Sequence, residues 1–219
     1  ADASHELRTP LTAIRGFAEL HRQGAVKGEE KTGELIRRIE QESIRMSTLV
    51  EDLLLLARLD QSREMEFEPV DLTTLVSEAV TSAKAAGPKH NFNFKKPAAE
   101  VFVLGDSMRI HQAVANLLAN ARMHTPAGTE IAVNAEVLED ETTITVSDNG
   151  PGLSSADQER IFERFFRADP SRARSAGEGS GLGLAIVDAV MKAHGGSVTV
   201  ASEIGKGAAF TLHFPITKD

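Results

Sequence analysis

The stretch Thr142-Thr143-Ile144-Thr145-Val146-Ser147-Asp148-Asn149-Gly150-Pro151-Gly152 decides the fold. Its first six residues alternate with period two, the pattern of a strand with one covered face. A carboxylate and two glycines then end the strand in a turn, where a backbone can approach a ligand closely. Residues 130–137 alternate in the same way just upstream. Working outward, residues 106–124 and 182–193 carry apolar positions at helical spacing, and shorter strands are expected at 91–94, 101–103, 197–202 and 208–214. Two more helices are expected, one from the N-cap Asp71 to about Ala86 and a short one over 154–162. Strands and helices in this order predict a mixed sheet with helices on one face, an α/β sandwich.

Ahead of this region the period changes. Leu7, Leu11, Ile14 and Phe17/Ala18 recur at steps of three and four to about Arg22. Gly24 and Gly28, with the charged run Lys27-Gly28-Glu29-Glu30-Lys31, then mark a solvated turn. A second helix is expected over 30–61, with Ile36, Ile39, Met46, Leu49, Leu53, Leu56 and Ala57 on its apolar face. Two helices joined this closely form an antiparallel hairpin. Alone, the hairpin would leave half of its apolar surface wet. Two copies packed as a dimeric four-helix bundle would cover it, and packing on the C-terminal half is the alternative. Glu66-Phe67-Glu68-Pro69-Val70 reads as a linker, because Pro69 cannot continue a helix. The expected fold class is therefore α+β, with a helical domain over 1–65 and a sandwich domain over 70–219. Residues 168–180, rich in Gly, Ser, Arg and Ala, read as a mobile loop.

Composition removes several functions. A formal charge of −8 opposes the clustered Lys and Arg that phosphate contacts to nucleic acid require, so no nucleic-acid partner is expected. No uncharged apolar run approaches the roughly 18–20 residues that cross a bilayer. With no cysteine there is no disulfide framework and no thiolate metal site. The histidines other than His5 and His124 show no ligand spacing. The start, Ala1-Asp2-Ala3-Ser4, has neither Met nor a secretory pattern, which suggests a piece of a longer protein.

The chemistry-bearing residues fall in one order. Asn116, Asn120 and His124 stack a turn apart on one helix face. Neutral amide oxygens there can ligate Mg²⁺ beside a triphosphate without adding repulsion. Asp148 can accept a hydrogen bond from the exocyclic amine of adenine, where guanine carries an oxygen, and Gly150 and Gly152 let the backbone come close. Gly179-Ser180-Gly181-Leu182-Gly183-Leu184 opens a helix, so its N–H groups and the helix dipole suit phosphate. A Rossmann reading fails because no strand precedes these glycines, and a Walker loop fails because no Gly-Lys-Ser/Thr follows. At the other end, His5 and Thr9 share a helix face, with Glu6 beside them. A neutral imidazole is a competent nucleophile near pH 7, and Glu6 can take the proton of its second nitrogen or orient the ring.

Together, His5-Glu6-Leu7-Arg8-Thr9-Pro10, the Asn116/Asn120 helix, Asp148-Asn149-Gly150-Pro151-Gly152, Phe162-Glu163-Arg164-Phe165-Phe166-Arg167 and the Gly179–Leu184 run resemble bacterial two-component sensor histidine kinases. The resemblance implies a dimerisation and phosphotransfer hairpin followed by a catalytic ATPase domain of the GHKL, or Bergerat, type. It implies ATP and Mg²⁺ as cofactors, with Asn120 as the metal ligand and Asn116 supporting the phosphates. Nucleotide contacts are expected from His124, Asp148, Gly150, Gly152, Arg167, Gly179, Gly181, Leu182, Gly183 and Leu184. By the same resemblance His5 is the phosphoacceptor, Glu6 its base, and Thr9 positions water for dephosphorylating the partner. Expected partners are a second copy, through the hairpin, and the aspartate-bearing receiver of a response regulator. An upstream input region would carry the membrane spans, leaving this portion cytoplasmic. Met123 departs from the family, since many relatives have Lys or Arg there, and Arg122 is one position round the helix. A gyrase-like or chaperone-like ATPase, or a dimeric scaffold that only binds nucleotide, is the alternative reading.

Overall fold

A computed structural model describes residues 2–60, 65–97, 99–168 and 179–216. Most of the loop expected at 168–180 lies outside the described residues. The chain divides into two compact units, Ala1–Leu55 and Leu56–Asp219.

The first unit is the hairpin. Helix α1 (Asp2–Arg22) and helix α2 (Glu29–Asp60, which runs past the division) are joined through Gly24 and Gly28. Both glycines take left-handed backbone, φ 66° and 95°, which closes the first helix and turns the chain into the second. Pro10 lies inside α1 without ending it. Leu35 and Leu49 are buried, whereas Leu11, Leu20, Ile36, Ile44 and Val50 stay exposed.

The second unit opens with a difference from the sequence reading. Residues 66–70 are not all linker: Glu68–Asp71 is a strand, β1, paired antiparallel with β3 (Phe102–Gly105). The Leu72 N–H donates to Val101 O at 2.8 Å, so alternate residues face β3 and Pro69 turns its nitrogen to the open edge. A proline costs no ladder hydrogen bond there, which is why a residue that argues against a helix is compatible with this strand.

Helix α3 (Leu72–Ala86) starts where Asp71 accepts from the Thr73 and Thr74 N–H groups. Helix α4 (Ser107–His124) is capped by Asp106, and α5 (Ser155–Arg160) by Ser154. The main sheet has the order β2 (Asn91–Lys95), β4 (Glu130–Val137), β5 (Glu141–Asp148), β7 (Gly207–Pro215), β6 (Ser197–Glu203). Only β2–β4 is parallel; the other three pairs are antiparallel. Along β7, Ala208, Phe210, Leu212 and Phe214 are buried and alternate with half-buried neighbours, so one face carries the core. Helices α3, α4 and α6 (Gly183–Ala193) pack together on the sheet through Leu72, Val76, Ile110, Leu117, Ile186 and Met191. This is the expected sandwich.

His194, just past α6, ties the layers together. It is 7% exposed. The Asp106 N–H donates to its Nε2 at 3.0 Å, so Nδ1 carries the proton and donates to Val190 O at 2.8 Å. The rings of Phe67 and Phe214 flank it, and Gly105 leaves room for it: a Cβ there would stand 2.7 Å from His194 Cδ2. Burial pushes the imidazole below its usual pKa of 6.5, against the opposing pull of Val190 O and Asp106. An unfolded chain therefore takes up this proton near pH 6.5 while the folded one resists it. The stability contributed is complete above that pH and declines as pH falls towards the folded value. Urea denaturation should show stability dropping between pH 7.5 and 5.5, with a smaller drop in the less stable His194→Gln variant.

Candidate functional site

Helix α4 and strand β5 end side by side, and the site lies where their last residues meet. α4 turns Ala113, Val114, Leu117, Leu118 and Ala121 into the core, which leaves Asn116, Asn120 and His124 on another face. A cavity of about 300 Å³ opens beside that face. Of the expected site residues, Asn120, His124, Asp148, Gly152 and Arg167 line it. So do Thr125, Asp157, Ile161, Ala208 and Phe210, which the sequence reading missed. Two of these had a signal. Phe210 follows Ala208 on the covered face of β7, and Ser154-Ser155-Ala156-Asp157 is a capping sequence in which Asp157 N–H donates to Ser154 Oγ at 3.1 Å.

Asp148 closes one side of the cavity. Burial pushes its carboxyl above the ordinary range, opposed by hydrogen bonds from the Gly150 and Ala208 N–H groups and by the charge of His124. The Gly150 N–H reaches Oδ1 at 2.8 Å. Gly150 has no spare room, since a Cβ would press on the Thr125 methyl and on that carboxylate oxygen. Gly152 is also required by the fold itself. Its φ is 71°, and a Cβ would overlap the carbonyl oxygen of Glu203. Gly207 (φ 93°) likewise lets its backbone pass the Asp148 carbonyl. Glycines therefore let the β6–β7 turn fold down on the end of β5.

The glycine run sits against α4 and outside the cavity lining. Asn116 Nδ2 donates to Gly183 O at 3.2 Å, and Met123 Cε lies 3.5 Å from where a Gly179 Cβ would stand. Leu182 is fully buried, so only its backbone can reach a ligand, and Leu184 is half-buried. Gly181 (φ 72°) accepts a hydrogen bond from the Phe165 N–H at 2.9 Å, and Phe165 is itself left-handed at φ 64°. Phe166 lies under the Arg160 guanidinium at 4.8 Å, and Phe162 meets Phe210 edge-on. Arg122, beside Met123, is not among the residues that line the cavity, and its stem lies against Gly87 at the end of α3. Among the described residues no group of three or more His, Cys, Asp or Glu could hold a metal ion.

His5, Glu6 and Thr9 lie on α1 in the first unit. His5 is exposed, Glu6 half-buried, and the Thr9 hydroxyl donates to the His5 carbonyl at 3.2 Å.

The profile of the histidine kinase-, DNA gyrase B- and HSP90-like ATPase family matches residues 105–218, and that of the His Kinase A (phospho-acceptor) domain matches residues 1–62. The chain belongs to the sensor histidine kinases. A probable sensor histidine kinase, TcrY of Mycobacterium tuberculosis, is 48% identical over 99% of this chain and 45% of its own length. The chain spans about half the length of the curated relatives it matches. The fold matches that of Acinetobacter baumannii histidine kinase AdeS at TM-score 0.78, covering 98% of each chain at 24% identity. Histidine kinase ThkA, in its complex with response regulator protein TrrA, matches at TM-score 0.73 and 26% identity, over 98% of this chain and 60% of that one. No described helix of this sensor kinase chain is long and apolar enough to cross a membrane.

Replacing Gly152 by Ala puts a Cβ where the Glu203 carbonyl lies, on left-handed backbone. The cost should be at least ~1–3 kcal/mol, read as a lower urea midpoint.

Proposed function

We propose that this chain binds ATP with Mg²⁺ in the α4–β5 cavity and transfers the terminal phosphoryl to a ring nitrogen of His5, from which an aspartate of a response regulator takes it. The observation that carries the reading is Asp148, a half-buried carboxylate in a cavity with Asn120, His124 and Arg167, in a chain that also matches a phosphoacceptor domain. The Asp148 carboxylate, steadied by the Gly150 and Ala208 N–H groups, keeps acceptor capacity for the adenine amine. Asn120 offers an amide oxygen, and Arg167 brings positive charge to the same cavity.

Asn120 would hold magnesium through one neutral amide oxygen, leaving the ion's remaining positions to triphosphate and water oxygens. When bound, the ion would neutralise phosphate charge. Asn116 holds Gly183, and through it the start of α6, where backbone N–H groups and the helix dipole favour phosphate. Leu182 anchors that start from beneath, and Gly179, Gly181 and Leu184 complete the run.

In the transfer, a His5 ring nitrogen forms the N–P bond as the bond from the terminal phosphorus to its bridging oxygen breaks, and ADP leaves. The proton on the other ring nitrogen passes to Glu6 or to solvent. Catalysis is positioning and charge neutralisation. Thr9, once released from the His5 carbonyl, would position water against the phosphorylated regulator. The proposed domains are 1–65 for phosphotransfer and dimerisation and 70–219 for catalysis. Two hairpins pairing through Ile36, Ile44 and Val50 would cover their exposed apolar side chains. An input region and any membrane attachment belong to the sequence beyond this stretch.

With radiolabelled ATP, the chain should acquire an acid-labile label that His5→Gln abolishes. A label surviving that substitution, or one stable to acid, would defeat the assignment. Asp148→Asn should weaken nucleotide binding by about 1.5–3 kcal/mol, roughly ten- to a hundred-fold. The same change removes a buried charge whose folded pKa is raised, so its cost to folding is felt above that pKa. Asp148→Asn should therefore raise the melting temperature at pH 7.5 while lowering affinity. For the parent chain, affinity should fall with acidification at a higher pH than an ordinary aspartate near 3.8 would dictate. Calorimetric titration with ADP reads both.

A further inference from the structure

The sheet face turned away from the helices carries a second constellation that nucleotide chemistry does not use. His213 alternates on β7 with Leu212 and Phe214, which are buried towards the helices, so its ring stands on the opposite face. Its direct partners are Thr143 on β5 and Ser197 on β6. Glu141 and Thr199 lie two residues from those partners on the same strands, at the diagonal positions whose side chains still meet on one face. Three adjacent strands thus each contribute one group.

The distances make a continuous relay. His213 Nδ1 stands 3.1 Å from Glu141 Oε2 and 3.2 Å from Oε1, and Nε2 stands 2.8 Å from the Thr199 hydroxyl. An ionised carboxylate only accepts, so Nδ1 carries the proton. In the neutral ring Nε2 is then an acceptor, and the Thr199 O–H donates to it. The tautomer is set by Glu141, and the hydroxyl is aligned with a base. That is the arrangement which activates an alcohol as a nucleophile, whatever fold carries it.

Position favours use of that hydroxyl. The His213 and Glu141 side chains are 23% and 35% exposed, which shelters the relay while Thr199 itself is exposed. β6 is an edge strand, paired in the sheet with β7 alone, so a reactant can approach Thr199 from the open side. The neighbouring Thr145 and Thr211 hydroxyls bond to each other at 3.0 Å and lack a base.

We propose that Thr199 is an acyl-accepting site, activated by His213 and Glu141, that takes the acyl group of an activated ester. The Thr199 oxygen bonds to the carbonyl carbon as its proton moves to His213 Nε2. The bond from that carbon to the leaving oxygen breaks, and Nε2 returns the proton to the departing alcohol. The products are a threonine ester and the free alcohol, with no change in oxidation state. The threonine methyl crowds the attack, so the site is modified once and does not turn over rapidly.

The intact chain is incubated with p-nitrophenyl acetate and the acetyl group located by peptide mass spectrometry. Thr199 should acquire it about 100-fold faster than other hydroxyls, within the range that general-base assistance supplies. Thr199→Ser should react faster still, and Thr199→Val should lose the modification. His213→Gln and Glu141→Gln should each slow it at least ~tenfold, with a cooperative thermal transition retained. If His213→Gln does not fold, the Ser–Val contrast and Glu141→Gln decide. Acetyl confined to lysines, acetyl held on His213 itself, or a Thr199 rate unchanged without His213 or without Glu141 would overturn the assignment.

Discussion

A carboxylate kept half out of water at the end of a strand costs free energy, and the second unit is arranged to hold Asp148 there. Two backbone N–H groups and the charge of His124 offset part of the penalty without cancelling it. Holding the charge requires three close approaches of chain to chain. Gly150 admits the carboxylate beside Thr125, Gly152 passes under the Glu203 carbonyl, and Gly207 passes the Asp148 carbonyl. Each is a place where a side chain would collide, so this corner is fixed by sterics before any ligand arrives. A residual penalty on the charged form is what a further hydrogen-bond donor, such as the adenine amine of the proposed ligand, would relieve.

Helix α4 connects that corner to the rest of the unit. Its apolar face is almost completely buried between the sheet and the neighbouring helices, so the helix cannot rotate without exposing core. Asn116 and Asn120 are therefore presented at fixed azimuths. One binds the Gly183 carbonyl and the other faces the cavity. The far layer is fixed by His194, which joins the C-terminal end of α6 to the residue that caps α4. Cap, helix and buried imidazole form one chain of contacts running from the start of α4 to the end of α6.

Much of this was legible in the sequence because the signals are local. Alternation marked β4, β5 and β7, and Asp71 and Asp106 marked helix starts through their own side chains. What escaped depends on partners distant along the chain. Pro69 argues for a linker until the pairing of β1 with β3 shows its nitrogen facing an open edge. His194 shows no spacing that suggests a role, since its partners are a carbonyl on its own helix and an N–H at residue 106. That position 152 admits only glycine depends on a carbonyl more than fifty residues away in sequence. Met123 was legible as a departure, whereas the packing of the Arg122 stem on Gly87 was not.

The two proposed reaction centres differ in how they are built, and the difference follows from what each must meet. A nucleotide can be recognised by a half-closed cavity, because one small molecule with fixed donors can satisfy a buried acceptor. A phosphoacceptor that must meet first the nucleotide and then a second protein cannot be enclosed in that way. His5 is exposed on α1, with the half-buried Glu6 beside it. On the proposed reading, specificity for the nucleotide lies with the Asp148 cavity and specificity for the regulator with the surface around α1. On that same reading, substitutions in the cavity should change which nucleotide is used without changing which regulator is served.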